Sequence, residues 1–283
     1  MSRAMSQREV AKVVPSMPTS DGAGVRLNRS LGTSALPMVD PFLMLDEFRS
    51  DDPNDYIAGF PDHPHRGFET VTYMIAGEMQ HKDSAGNSGL LVGGGAQWMT
   101  AGRGLVHSEM PRQADGLMWG FQLWVNLPRA EKMKEPRYQD LAPEQIPEVE
   151  LQGAKVRVVA GEVEGVRGPV QGISVAPTML DIALRPRARF VQGLPAEHGA
   201  FVYVFVGAAN VGPNGGVRVP RGAVAVLGPG EEVTIEADAE GARLLLLAAR
   251  PLKEPVARYG PFVMTTQEEI KRAVMDYQTG RLR

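Results

Sequence analysis

Four of the five histidines in this 283-residue chain, His63, His65, His81 and His107, lie within one stretch that closes on Glu109. A neutral imidazole offers a nitrogen lone pair at physiological pH, so histidines gathered this way point to metal ligation or proton transfer. Two spacings sharpen the reading: His63-Pro64-His65 and His107-Ser108-Glu109. In an extended strand alternate side chains share a face, with i and i+2 roughly 6–7 Å apart. His63 and His65 therefore point one way, and His107 and Glu109 do the same on their own strand. If the two strands pair, or face each other inside a barrel, three imidazoles and a carboxylate converge. That donor set suits Fe(II), Ni(II), Cu(II), Zn(II) or Mn(II) and leaves positions open for water or substrate. Glu69, at i+4 from His65, joins the same face if the strand stays regular. A lone His-x-His is weak; a second pair, His-x-Glu, across a glycine-rich segment makes the case.

The elements that must position these residues are short strands. Thirty-two glycines and 22 prolines punctuate runs such as 70-TVTYMI-75, 156-VRVVA-160, 201-FVYVFV-206 and 223-AVAVL-227. Many short β-branched runs between turn signals predict an all-β antiparallel sandwich or barrel. A faint repeat, 73-YMIAG-77 against 203-YVFVG-207, each followed by a glycine-rich turn, predicts two β-domains of one plan. Their expected division is 1–130, a polar linker over 131–147, and 148–283. Helix grammar is clear once, near the C-terminus. There a Thr and a Glu three apart form a capping-box pattern, Ile270, Ala273, Val274 and Tyr277 recur at helical spacing, and Gly280 closes the run. The spacing predicts a helix over 266–279 docked through those four residues. A shorter helix is expected over 129–135.

Composition excludes several classes. A net charge of −3 offers no basic field for a nucleic-acid backbone. The absence of cysteine removes disulfides, thiol catalysis and cysteine–metal sites. The N-terminal residues lack a signal-peptide pattern, and the most apolar run, Leu244 to Ala249, falls far short of the roughly 20 residues a bilayer needs. A soluble, cytoplasmic, monomeric protein without nucleic-acid or membrane partners is expected.

The stretches 63-HPHRGFETVTY-73, 97-QWMTAGRGLVHSEMP-111, 41-PFLMLDEF-48 and 251-PLKEPVARYGPFVMTTQEEIKRAVMDYQTG-280 resemble the pirin family of the cupin superfamily. The resemblance implies two tandem cupin (double-stranded β-helix, jelly-roll) barrels with a short C-terminal α-helix. It further implies one divalent transition metal, in the N-terminal barrel only: Fe(II) first, with Ni, Cu, Zn, Mn or Co as alternatives. The family's ligand pattern falls on His63, His65, His107 and Glu109. In the wider cupin pattern a Glu at the spacing of Glu69 is itself a ligand; in pirins it is the carboxylate after the third histidine. Glu109 is therefore the expected ligand and Glu69 a residue behind the ligands, with one of the two as general base.

Pirins are similar to quercetin 2,3-dioxygenases. The resemblance thus implies cleavage of a flavonol-like, small aromatic or enediol substrate with dioxygen. The alternative it carries is a non-enzymatic, iron-dependent redox-sensing or regulatory protein acting through a protein partner. A cavity of roughly 300 Å3 or more beside the metal favours the first, and a closed site under a flat charged surface the second. Other residues carry plainer expectations. His81 is read as a surface or hydrogen-bonded histidine, and Arg66 as half of a structural ion pair facing away from His65. Trp98, Trp119 and Trp124 are read as core or rim. His198, without a partner histidine, leaves the second barrel without a metal site.

Overall fold

The computed structural model describes residues 5–282. They form two all-β units and one α-helix. The division differs from the contiguous one expected from the linker. One unit comprises the described residues through Ser16, Thr33–Pro41 and Gln145–Pro251; the other comprises Met17–Gly32, Phe42–Glu144 and the chain from Leu252 onward. Strand pairing explains the exchange of ends. Val10–Pro15 adds to the edge strand Ala223–Leu227, and the C-terminal segment returns to the histidine-bearing unit. The polar stretch from 131 is only partly a linker, because Arg137–Leu141 pairs with Ala96–Thr100.

The unit holding Gln145–Pro251 is a nine-stranded antiparallel sheet. Its centre is hydrocarbon: Val158, Leu180, Ile182, Val202, Val204 and Leu244 are each fully buried in one cluster. The repeat is visible here, since Tyr203, like Tyr73, is buried. The glycine four residues on, Gly207 (φ 67°) or Gly77 (φ 88°), bends the chain through the left-handed region in each unit.

The histidine-bearing unit has two antiparallel sheets. The seven-stranded sheet runs, in spatial order, Arg137–Leu141, Ala96–Thr100, Phe68–Ala76, Met118–Asn126, Phe42–Ser50, Val25–Leu31 and Met17–Asp21. The four-stranded sheet runs Phe60–His65, Leu105–Pro111, Glu78–Asp83 and Ser88–Val92. The small hairpin Ala257–Tyr259/Phe262–Met264 and the helix Gln267–Gln278 complete it. The helix has its full capping box: the Thr266 hydroxyl accepts from the Glu269 amide, and the Glu269 carboxylate accepts from the Thr266 amide. Ile270 and Ala273 are buried in a cluster with Ala257, Phe262 and Met264, and Val274 packs beside it. Tyr277 corrects the expectation: it is 42% exposed and only skirts Phe262, at 6.2 Å between ring centroids. The helix expected over 129–135 is a single 3-10 turn, Arg129–Glu131. Pro136 disfavours a helical Glu135, which limits how far the turn could extend. No helix among the described residues is long and apolar enough to cross a membrane.

Candidate metal centre

The strand Phe60–His65 pairs antiparallel with Leu105–Pro111, placing His63 directly opposite His107. Alternation then brings His65 to the same side. The rings gather closely: centroids are 4.7 Å apart for His63–His65, 4.4 Å for His63–His107 and 5.0 Å for His65–His107. One nitrogen from each lies within 4.8 Å of the others.

The protonation of the cluster follows from its surroundings. Burial, then the neighbouring His107 and His63, hold His65 well below the usual imidazole range. Burial, then His63 and His81, do the same for His107. Both are neutral at physiological pH. The His63 Nδ1 lies 2.8 Å from the Pro61 carbonyl. That carbonyl can only accept, so Nδ1 carries the proton and Nε2 keeps a lone pair. The ring nitrogens of His65 and His107 are buried without a well-formed hydrogen bond, the Pro261 backbone giving His65 only a weak contact. Such orphaned polar atoms cost roughly 1–3 kcal/mol each. Three convergent lone pairs, two rings of them unsatisfied, are what a divalent transition metal would satisfy, and the residues fit that group.

Glu109 shares the inward face of its strand with His107, is buried, and lines the cavity beside the histidines. Its carboxylate accepts from the Thr72 hydroxyl at 2.7 Å and stands outside the trio of imidazole nitrogens. Glu69 does not share that face. Gly67, at φ 88°, separates Phe60–His65 from Phe68–Ala76, so parity does not carry across. A side chain there is also excluded by space: a Cβ on Gly67 would stand 2.0 Å from the Val263 carbonyl oxygen. Phe68 and Thr72 consequently face the site, with the Phe68 ring 5.0 Å from His65. Glu69 points to the other side of the sheet, fully buried, and accepts from Trp98 Nε1 at 3.0 Å and the Thr100 hydroxyl at 2.6 Å. Burial pushes its carboxyl upward against those two bonds. Trp98 is thus core; Trp119 donates to Glu47 at 2.8 Å; Trp124 is a cavity wall.

Arg66 forms its expected ion pair, with Asp276 at 2.8 Å, but buried rather than on an outer surface. His81 is likewise buried. It sits opposite Glu109 on the strand Glu78–Asp83, stacks on Tyr138 at 5.5 Å, and has its Nε2 3.6 Å from Asp140. The alternation Met79, His81 on one face was the available signal. Thr72, Gln122, Trp124 and Arg258, which also shape the site, carry no local signal, because distant pairings bring them in.

A cavity of about 580 Å3 opens beside the cluster. Its walls include His63, His65 and Glu109, with Leu27, Phe48 and Trp124 supplying apolar surface.

Residues 24–125 match the family model described as Pirin, and residues 179–283 the model described as Pirin C-terminal cupin domain. A pirin-like protein of Caulobacter vibrioides is 49% identical, covering 98% of this chain and 100% of its own. Human pirin is 42% identical, covering 98% of this chain and 94% of its own. The crystal structure of quercetin 2,3-dioxygenase from Acinetobacter baumannii is similar at a TM-score of 0.90 and 34% identity, over 97% of this chain and 98% of that one. The fold is accordingly a tandem cupin.

Proposed function

The chain belongs to the pirin family, and on that premise we propose that it is a metal-dependent dioxygenase that opens flavonol-type, quercetin-like rings with dioxygen. His63, His65, His107 and Glu109 hold the metal, with Fe(II) the first choice. When bound, a divalent transition metal supplies Lewis acidity that acidifies an enediol hydroxyl, and the redox chemistry that oxygen insertion requires. The protein's own residues do the rest. Glu109 receives the hydroxyl proton as general base, kept in place by Thr72. Phe48, Leu27 and Trp124 orient the aromatic rings and exclude water from the reacting edge.

The observation that carries this reading is the cavity. Its volume of about 580 Å3 suits a three-ring phenolic compound, and its apolar walls meet the imidazole cluster at one side. A regulatory protein reading a flat surface would need no such space. The name quercetin 2,3-dioxygenase on the similar Acinetobacter structure adds support. The test uses metal-loaded protein and labelled dioxygen. Both labelled atoms should enter the cleaved product by mass spectrometry, and chelation should abolish cleavage. Tight metal binding with neither anaerobic flavonol binding nor labelled product would overturn the proposal.

A further inference from the structure

Two arginines line the cavity, and they are held very differently. Arg29 is engaged: it meets Asp46 through two bonds, at 2.8 and 2.7 Å, and Asp21 at 2.8 Å. Arg258, from the short strand Ala257–Tyr259, is not. Its nearest acceptors are the Leu43 carbonyl at 3.5 Å and the Met44 sulfur at 3.9 Å, both long. Among the described residues no carboxylate pairs with it, although Asp62 lies on the same cavity wall. Asp46 and Asp21 are within range of its charge, but both are bonded to Arg29. Burial, then the like charge of Arg29, pushes the Arg258 guanidinium downward from its usual value.

The residue is exposed on one side, yet its guanidinium is stacked. The guanidinium carbon stands 4.6 Å from the centroid of Trp124. Trp124 in turn meets His65 edge-on at 5.4 Å. One indole therefore borders both the imidazole cluster and a planar cation. A guanidinium stacked on an aromatic ring keeps its N–H fork free for a carboxylate, sulfate or sulfonate, and holds it in advance of binding.

Resting on the reading of this cavity as the substrate site, we propose that Arg258 selects anionic aromatic ligands: a planar phenolic ring system whose carboxylate, sulfate or sulfonate group the guanidinium binds while the rings lie in the apolar part of the cavity. Neutral flavonols then fill the ring site without engaging Arg258.

The test compares probes that share a ring system and differ in charge. Metal-loaded full-length protein is titrated with 1-anilinonaphthalene-8-sulfonate and with neutral N-phenyl-1-naphthylamine, each followed by fluorescence. Wild type should prefer the sulfonate. Arg258→Met should lower that preference about tenfold, the scale of a charge-assisted hydrogen bond. Arg258→Lys should fall between them. If Arg258→Met folds poorly by circular dichroism, Arg258→Gln serves the same comparison. A preference ratio unchanged in the variant overturns the proposal. A second arm measures KM for a flavonol and its ring sulfonate. Cleavage of both, with a KM ratio indifferent to Arg258→Met, sinks the anion site and leaves the dioxygenase reading intact. An Arg258-dependent naphthalene preference without any flavonol cleavage does the reverse.

Discussion

The Thr72 hydroxyl donates to the Glu109 carboxylate at 2.7 Å, joining the seven-stranded sheet to the four-stranded sheet inside the histidine-bearing unit. The Gln122 side-chain amide lies 2.7 Å from the same hydroxyl. The carboxylate is thereby oriented by a chain of side-chain polar groups. Thr72→Val keeps the shape and removes the donor. Metal affinity, read by competition with a weak chelator, should fall about 10–100-fold, the usual effect of losing a residue that orients a ligand. Unchanged affinity would mean that Glu109 needs no such support.

The two carboxylates should separate cleanly. Glu109→Gln replaces an anionic oxygen donor by an amide and should strip the metal during dialysis against a weak chelator. Glu69→Gln should retain metal, because Glu69 faces the other side of its sheet and is held by Trp98 and Thr100. Its effect belongs to stability: the amide keeps one oxygen acceptor, and its NH2 group faces the other of the two donors, at a cost of about 1–3 kcal/mol. Retention by Glu109→Gln with loss by Glu69→Gln would exchange the two roles.

What was legible in the sequence, and what was not, follows one rule. Parity within a strand holds, so His63 with His65 and His107 with Glu109 could be read directly. Parity across Gly67 fails, because a residue at φ 88° ends one strand before the next begins, and Glu69 turns away. The exchange of chain ends was hidden for a related reason. Nothing in the sequence of Val10–Pro15 or of the C-terminal hairpin marks the unit each joins; contacts distant in sequence decide it. Arg258 could not be tied to Trp124 from sequence, since nothing near either residue encodes their contact.

The imidazole cluster makes the metal-free protein acid-sensitive. The folded forms of His65 and His107 titrate well below 6.5, whereas the unfolded chain binds those protons near 6.5. As pH falls below 6.5 the unfolded state gains protons that the folded state does not, so stability drops. The slope approaches about 1.4 kcal/mol per pH unit for each histidine. Urea denaturation of metal-free protein at several pH values should show this. The His65→Gln/His107→Gln double variant should lose that part of the slope. An identical slope in both would place the two histidines among ordinary exposed ones.

The C-terminal helix should act through its inner residues alone. Ile270→Ala empties a buried position in the cluster with Phe262 and Met264 and should cost about 2–5 kcal/mol. Tyr277→Ala, at a side chain 42% exposed, should cost well under half of that. Equal losses in melting temperature would show that the outer stripe packs as tightly as the inner one.

Lys132 fastens the returning segment to the histidine-bearing strands. Its buried ammonium donates to the Gly67 carbonyl at 2.8 Å, the Asn126 side chain at 2.7 Å and the Val263 carbonyl at 3.0 Å. Gly67 is two residues from His65, and Val263 belongs to the C-terminal hairpin. Lys132→Met fills the space and strands both carbonyls, costing about 1–3 kcal/mol for each. Burial also pushes the Lys132 amine down to about 8. Between pH 8 and 10.5 the unfolded chain holds a proton that the folded chain has released, so wild-type stability rises with pH through that window. Lys132→Met lacks this rise, and the wild-type advantage should widen from pH 8 to 10. Denaturation midpoints of the two proteins across that range decide the matter. A constant difference would show that the ammonium keeps an ordinary proton affinity in the folded state, and parallel curves of equal height would remove Lys132 from the fastening altogether.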